Sequence, residues 1–282
     1  IKVVKVAPHT FRTWTQAYLS HALHLSADAR RYNLTRMELH VFEAIGDMPL
    51  TEIRPSDVNT LLAKMLIIRA HPTVARVRVI LAQILRAAQQ EKLIDQNPAD
   101  GVRLPRRTTP QREVQAWTRI QIAAFLASGP AQASPLLTLL IVAFDVGARR
   151  GELLGLTADD IRGEGSAKPK LLIRRSLHAD GTVGLPKTAK GTRRVRLSSE
   201  ALAAMQQQRM QRETAPCNAP QLWLTPEGEP LSPSRVSQDF QALVDEFVAS
   251  PRGKAVGAPR ITLHGARHSW VSNRLANNES LA

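Results

Sequence analysis

Near the end of the sequence, His264, Arg267 and His268 could together bind an anion or move a proton. Their i, i+3 and i+4 spacing places them on one face of a predicted helix. Val271 and Leu275 continue that face, which an ordinary helix would bury with apolar side chains. Because buried cations need an anionic partner, the pattern predicts an anion-binding helix face. For these residues alone, a solvated basic helix edge is the alternative interpretation.

A second cationic group follows a stretch that is almost entirely apolar. Residues 136–146 predict a helix that is buried on all sides, and Gly147 is expected to end it. Arg149 would then be held at the end of a rigid, buried helix. The alternative is that this arginine does no more than cap the helix C-terminus. Glu152, three residues later, is expected to orient an arginine rather than to act as an acid.

A change from helical to alternating pattern predicts a small antiparallel sheet in the middle of the second half. Candidate strands span residues 170–176, 182–185 and 193–197, with turns between them. Lys187 falls between the last two strands, on or beside a hairpin. A lysine there could donate a proton or could simply be solvated, and Lys190 is the alternative candidate for the functional role.

The composition points to a polyanionic partner. The formal net charge is +14 and the isoelectric point is near 10.9. Residues 1–105 contain 14 Lys and Arg against 9 Asp and Glu, and residues 106–282 contain 24 against 15. Both halves are therefore basic, which suits a protein that binds one DNA duplex from two sides. Aromatic residues make up only 4% of the chain, which disfavours a single-strand binder that stacks on bases.

The first hundred residues carry only helical patterns. Four candidate helices of a small bundle cover residues 10–25, residues 30–45, a segment that starts at Pro55, and residues 73–90. The last of these has a clear apolar stripe, with Arg76, Arg78 and Arg86 off it. These three arginines form either a DNA-facing surface or a solvated face, and periodicity does not decide between the two.

The sequence predicts a mainly α protein of two domains joined by a linker. Residues 1–104 form the helical domain, residues 105–116 the linker and residues 117–282 an α+β domain. The linker is rich in Pro, Thr and Arg and has no apolar period. Arg106 and Arg107 in it are either parts of a solvated tether or contacts to a phosphate backbone.

Several features bear on location and completeness. Cys217 is the one cysteine, so these residues offer no internal disulfide and no cysteine-based metal cluster, which fits a reducing cytoplasm. No apolar run reaches the length of a membrane span, and residues 1–20 lack the features of a signal peptide. Because the first residue is Ile rather than Met, we expect the chain to be part of a longer protein. From the cysteine and apolar patterns, we expect that protein to be cytoplasmic and to have no membrane contact.

Three motifs occur in an order that resembles the tyrosine recombinase (phage integrase) family. They are Gly147-Ala148-Arg149-Arg150-Gly151-Glu152-Leu153, Pro186-Lys187-Thr188 and Leu263-His264-Gly265-Ala266-Arg267-His268. Each motif alone is weak, but three in order are strong. The first half is also similar to the family's helical, SAM-like core-binding domain. The resemblance implies that an α+β catalytic domain with a small antiparallel sheet follows it.

The resemblance implies a metal-free cleavage and rejoining of DNA through a 3'-phosphotyrosyl intermediate, with no cofactor. Arg149 and Arg267 would clamp the phosphate, Lys187 would act as the general acid, and His264 would bond a phosphate oxygen or help to deprotonate the nucleophile. Glu152 and His268 would support them. Double-stranded DNA and a homotetramer on it are the implied partners. The further expected DNA contacts are Arg76, Arg78, Arg86, Arg106, Arg107, Arg150, Lys190 and Arg193.

The chain departs from the family at the nucleophile. The resemblance places the attacking tyrosine ~30 residues after Arg267, beyond Ala282, and the only tyrosines are Tyr18 and Tyr32. We therefore expect these residues to bind DNA and hold a phosphate without cleaving. A non-catalytic DNA-binding protein with the same fold is the main alternative. A resolvase or type IB topoisomerase-like relative is another, and the shortage of aromatics disfavours an RNA-binding protein.

Overall fold

A computed structural model describes most of the chain, namely residues 9–106, 113–178, 180–185, 191–214 and 219–278. The chain divides into two compact units, Ile1–Gln111 and Arg112–Ala282. Each unit has its own apolar core. Within the described residues, no helix combines the length and the apolar character that crossing a membrane requires.

Helices form the first unit. They are α1 (Phe11–His21), α2 (Ala27–His40), α3 (Phe42–Ile45), α4 (Pro55–Ile68) and α5 (His71–Gln90), with a 3-10 turn at Leu50–Glu52. The apolar stripe predicted for α5 is buried from Val77 to Ala88. Pro55 takes the first position of α4, as the sequence predicts, because its missing N–H would be unpaired there anyway.

Two predicted helices of this unit are shorter than expected. The segment 30–45 is broken at Val41 (φ −122°), and the break lets Val41, Phe42 and Ile45 all enter the core. The first helix ends at His21 instead of continuing to residue 25. At its last turn the Ser20 hydroxyl and the His21 ring both bond the carbonyl of Ala17.

The helices of the second unit surround a buried central helix. They are α6 (Arg119–Leu126), α7 (Gly129–Ala133), α8 (Leu137–Val146), α9 (Arg150–Leu154), α10 (Ser199–Glu213), α11 (Pro233–Ala249), α12 (Pro251–Ala255) and α13 (Leu263–Ala276). The predicted cap Thr118 accepts a bond from the backbone N–H of Gln121. The sequence did not predict α7, α9 and α12, because five residues are too few to show a helical period.

The second unit also contains two small antiparallel sheets. One has the order β1 (Ile161–Arg162), β2 (Lys170–Ile173) and β5 (Arg193–Arg196), and the other pairs β3 (Ser176–Leu177) with β4 (Val183–Gly184). The predicted strand at 170–176 is interrupted because Arg174 and Arg175 both turn to the buried carboxylate of Asp160. The predicted fold class, mainly helical with a small antiparallel sheet, is confirmed.

Trp117 ties the start of the second unit to its last helix. Its backbone N–H donates to the Ser269 hydroxyl over 2.7 Å, and its carbonyl accepts from Asn273 over 2.9 Å. Its ring stacks on Phe144 of α8 at 5.7 Å between centroids. Because α13 bonds the backbone of Trp117 and α8 packs on its ring, this one residue fixes the positions of the two helices relative to each other.

Candidate functional site

The end of α8 and the start of α13 meet at Gly147. This residue caps α8 in the left-handed conformation (φ +57°). A Cβ there would lie 2.5 Å from two ring atoms of Trp270, so only glycine lets α13 pack this closely. Arg267, one turn before Trp270, donates a hydrogen bond from Nη1 to the Gly147 carbonyl. Two of the predicted motifs therefore form a single contact.

A buried carboxylate organises the neighbouring arginines. Arg149 is the N-cap residue of α9, and its backbone N–H donates to Glu152 Oε2 over 2.9 Å. Its guanidinium donates from Nη1 to Glu152 Oε1 over 2.7 Å. Arg193, on β5, donates from Nη2 to Glu152 Oε2 over 2.8 Å. Because the Glu152 side chain is only 3% exposed, its carboxylate is directed at these donors rather than at solvent.

The glycine inside the first motif allows α9 to approach the second sheet. A Cβ on Gly151 would lie 2.5 Å from Ser176 Oγ and 2.7 Å from the Leu177 carbonyl. These distances leave no space for any side chain at residue 151. The short helix that carries Arg149 and Glu152 is therefore pressed against β3, which restricts its movement.

The charges of the site act on one another. Burial is the largest influence on the pKa of Glu152 and raises it, but hydrogen bonds from Arg193 and Arg149 outweigh burial and hold the pKa below its usual value. Burial also lowers the pKa of Arg267, and the positive charges of Arg193 and Arg149 lower it further. Three guanidiniums and one carboxylate leave this cluster with an excess of positive charge, which suits an anion.

The two histidines form a pair on the first turns of α13. Their rings meet edge to face at 4.7 Å between centroids. Burial is the main cause of a lowered pKa at His264, followed by His268 and then by the charges of Arg267 and Arg149. The lowered pKa favours the neutral form of the His264 ring, which is the form that can accept a proton. His264 is exposed and His268 half-buried, so the first is the more accessible of the two.

The predicted face of α13 is only partly correct. His264, Arg267 and His268 lie together, but Leu275 at the end of that face is 58% exposed. The buried face of the helix instead contains Leu263, Ala266 and Trp270. The polar residues are therefore at the edge of the core, where a ligand can reach them.

The structure brings Arg149, Glu152, His264 and Arg267 to one place and adds Arg193, which the sequence assigned to the DNA surface. Strand alternation could have indicated this, since Arg193 shares a face of β5 with the buried Val195. Arg150 is exposed and bonds the Ser237 hydroxyl over 2.8 Å, away from Glu152. The other predicted residues of this region, Arg107, Lys187 and Lys190, lie outside the described residues.

The predicted DNA-binding arginines of the first unit have different environments. Arg78 is half-buried and donates from Nε to the Val102 carbonyl over 2.6 Å, which ties α5 to the chain that follows it. Arg86 is paired with Asp100 at 2.9 Å. Arg106 is exposed. Arg76, in contrast, lies over the ring of Tyr32 at 5.8 Å.

Tyr32 is the centre of a group of cations, of which the sequence analysis named only Arg76. The Arg36 guanidinium lies over the same ring at 4.9 Å. Burial lowers the pKa of His40, and the charges of Arg69 and Arg36 lower it further, so these residues act on one another electrostatically. Within the described residues, the three arginines here have no ion pair. We refer to Tyr32, Arg36, His40, Arg69 and Arg76 as the Tyr32 cluster.

One cleft of the second unit is separate from the arginines around Glu152. It has a volume of about 970 Å³ and lies between α6, α8 and α13, with Asp145, Trp270 and Arg274 among its lining residues. Burial raises the pKa of Asp145, whose carboxylate accepts the backbone N–H of Ser198 over 3.1 Å. We place the functional site at the arginines because charge, rather than cleft volume, selects an anion. The described residues contain no group of three or more His, Cys, Asp or Glu side chains that could hold a metal ion.

Comparison with known proteins gives the fold. Residues 11–104 match the family described as the phage integrase central domain. A fragment of the Tn1549 transposon integrase in complex with a circular intermediate DNA superposes with a TM-score of 0.78 at 20% identity, covering 96% of this chain and 88% of that one. The chain has the fold of these integrases.

Other solved integrases give the same result. A lambda integrase dimer bound to a COC' core site has a TM-score of 0.67 at 18% identity and covers 96% of this chain and 92% of that one. A lambda integrase tetramer bound to a Holliday junction has a TM-score of 0.67 at 17% identity, and the match covers 97% of this chain and 72% of that one. No curated protein sequence matches the chain. At sequence identities of 17 to 20%, the similarity shows that both units of this chain have the fold of these integrases.

Proposed function

We propose that this chain is the DNA-binding and phosphate-clamping part of a tyrosine-type site-specific recombinase, an integrase of a phage or another mobile element. The convergence of Arg149 and Arg267 on the Gly147 turn carries the proposal. The match of the first unit to the phage integrase central domain supports it. The fold shared with integrases solved on DNA supports it as well.

The chemistry of the site suits an in-line displacement at a phosphodiester. Negative charge develops on the equatorial phosphate oxygens, and guanidiniums bind such oxygens without changing protonation. Arg149 and Arg267 would take these oxygens, one from each side of the Gly147 turn. Glu152 would orient Arg149, and His268 would support His264 through their edge-to-face contact.

Proton transfer requires two further groups. The neutral His264 would accept a proton from the attacking hydroxyl or bond a phosphate oxygen. Lys187 would protonate the leaving deoxyribose oxygen, as the resemblance implies, with Lys190 as the alternative. The second unit contains no tyrosine, and Tyr18 and Tyr32 both belong to the first unit. We therefore place the nucleophile on a tyrosine outside residues 1–282.

Both units would contribute to duplex binding. In the first unit, the arginines of the Tyr32 cluster have no ion pair in the part of the chain that the structure describes, and Arg150 is exposed on the second unit. Guanidiniums that no carboxylate neutralises are free to bind backbone phosphates and release counterions. We further propose that the complete recombinase works as a homotetramer on DNA, the assembly in which lambda integrase is bound to a Holliday junction.

Arginine substitutions test the proposal. We expect Arg149→Ala or Arg267→Ala to abolish strand cleavage in a protein that joins residues 1–282 to its nucleophile, while duplex affinity changes less than about threefold. Arg235→Ala is the matched control, since Arg235 is exposed and forms an ion pair with Asp239 one turn along its helix. Affinity that falls in proportion to cleavage would make these residues ordinary backbone contacts.

A second experiment tests the assignment of the nucleophile. Residues 1–282 alone are incubated with radiolabelled duplex DNA and separated on a denaturing gel. We expect retardation on a native gel and no covalent product on the denaturing gel. A covalent protein–DNA adduct formed by these residues would refute the placement of the tyrosine.

A further inference from the structure

We propose that Arg193 is a positioning residue, which fixes the Glu152 carboxylate so that this carboxylate can orient the Arg149 guanidinium. The inference rests on the proposed function only for the identity of the anion, a DNA phosphate. The sequence assigned Arg193 to the DNA surface, and the contacts of its guanidinium indicate this other role.

The donors of Arg193 are directed inward. Nη2 donates to Glu152 Oε2 over 2.8 Å, and Nη1 donates to the Gly191 carbonyl over 3.1 Å. The Arg193 side chain is 24% exposed, against 49% for Arg149. Arg149 is therefore the arginine that is free to meet a ligand, and Arg193 is the one bound within the protein.

The two oxygens of Glu152 have different partners. Oε1 accepts the Arg149 guanidinium, whereas Oε2 accepts the Arg193 guanidinium and the Arg149 backbone N–H. Without Arg193, Arg149 would be the one cation among the described residues that is hydrogen-bonded to a carboxylate that is 3% exposed. Oε2 would then keep only the backbone N–H of Arg149, so the carboxylate would be held less firmly and would fix the direction of the Arg149 guanidinium less well.

The contact joins two rigid elements. Arg193 begins β5 and is paired with the fully buried Ile173 of β2, so its backbone is held by the sheet. Glu152 lies on α9, which is pressed against β3. A carboxylate held from a sheet and from a helix start is preorganised before any ligand arrives.

The charge of Arg193 helps the site without contact to the anion. After burial, it is the largest influence that lowers the pKa of Arg267. Its donors are used by Glu152 and Gly191, but its positive charge remains in the cluster. Arg193 therefore favours an anion at Arg149 and Arg267 while the anion binds to those two.

Neighbouring arginines on β5 provide a matched pair of variants. Arg193 lies inward, and Arg194 is exposed on the opposite face of the strand. Arg193→Gln and Arg194→Gln remove the same charge at adjacent positions. Residues 1–282 are titrated with inorganic phosphate, and the arginine Nε–H signals are followed by NMR. We expect R193Q to weaken phosphate binding at Arg149 about tenfold and R194Q to weaken it less than about twofold.

A double-mutant cycle with Glu152→Gln shows whether Arg193 acts through the carboxylate. We expect the loss caused by R193Q to be large beside Glu152 and small beside its glutamine replacement. Amide spectra of each variant establish that the fold is retained. Equal and additive losses in the two backgrounds would overturn the positioning role, because Arg193 would then act without Glu152.

The signals of the arginines separate the two levels of the proposal. In the phosphate titration we expect the Arg149 and Arg267 signals to shift more than that of Arg193. A dominant shift at Arg193 would make it a direct ligand and overturn the inference. If the Arg149 and Arg267 signals of the wild-type chain do not shift when phosphate is added, the result would count against the proposed function. The positioning role would still be measured in the ligand-free protein, where an Arg149 signal that R193Q leaves unchanged would overturn it.

Discussion

The Tyr32 cluster and the arginines around Glu152 hold their cations in opposite ways. In the first unit, Arg36 and Arg76 lie over an aromatic ring and have no ion pair within the described residues. In the second, Arg149 and Arg193 share a buried carboxylate. A ring contributes only about 0.5 to 1 kcal/mol at an exposed position and leaves the full charge available. A carboxylate neutralises part of the charge and fixes the direction of what remains.

Under the proposed function, the difference corresponds to two tasks. Binding along a duplex requires uncompensated charge that can follow the phosphate backbone, and high positional accuracy is unnecessary. Holding one phosphate during displacement requires donors within a fraction of an ångström of their places. We therefore expect charge to matter most in the Tyr32 cluster and geometry to matter most around Glu152.

Removal of Glu152 should have the largest effect. Glu152→Ala leaves Arg149 and Arg193 unpaired and removes the cap of α9, so we expect the second unit to lose about 3 to 5 kcal/mol of unfolding free energy. Urea denaturation measures the loss. The matched control is Glu164→Ala, which removes a half-exposed pair with Arg209 and should cost less than about 1 kcal/mol. Equal losses would mean that burial of the carboxylate has no importance.

The stability that the arginines around Glu152 provide should also depend on pH. Glu152 has a folded pKa below its unfolded value, so its ionised form adds stability above about pH 4.3, and this stability is lost as the pH falls through the folded pKa. We expect R193Q to cost about 2 kcal/mol at pH 7 and clearly less near pH 3, measured by denaturant unfolding. A constant cost across this range would show that Arg193 does not stabilise the ionised carboxylate.

Charge removal in the Tyr32 cluster should affect DNA binding instead of stability. For Arg36→Gln with Arg76→Gln, we expect duplex affinity to fall about tenfold and the slope of log K against log salt to decrease by about 1.8. Fluorescence anisotropy with a labelled random duplex gives both values. Arg12→Gln with Arg31→Gln is the control, since both are already paired with carboxylates. A slope that changes as much in the control would make the cluster an ordinary part of the surface charge.

The smallest effect is expected at the ring itself. Tyr32→Phe keeps the aromatic face and should leave duplex affinity within about 1.5-fold, whereas Tyr32→Ala should reduce it about threefold. The same anisotropy assay applies. An equal loss in both variants would point to the hydroxyl as the DNA contact and would remove the proposed role of the ring.

The sequence predicts the parts of this architecture that depend on local pattern. The apolar run before Gly147 predicts a buried helix, and Thr118 and Pro55 mark helix starts because their chemistry suits those positions. The motifs with Arg149 and Arg267 point to residues that the structure places together. These signals are carried by neighbours within one or two helical turns.

The rest depends on contacts between distant segments. That Arg193 reaches Glu152 follows from the register of β5 on β2, which no local pattern specifies. Arg78 looks like a surface arginine, but its acceptor is the Val102 carbonyl, 24 residues later. The Tyr32 cluster joins α2 to α5 in the same way. Long-range packing therefore decides which of the many arginines is paired and which is free to bind.

Gly147 has a consequence for experiments that score function without looking at structure. Its carbonyl accepts a hydrogen bond from Arg267, and the Trp270 ring fills the space that a side chain at this position would need. Any side chain there would push α13 away from the end of α8, and Arg267 would move with that helix. A saturation mutagenesis screen would therefore rank Gly147 beside the arginines, although it offers no side chain to a phosphate. Intolerance at this position reports the distance between two helices, and it should not be interpreted as chemistry.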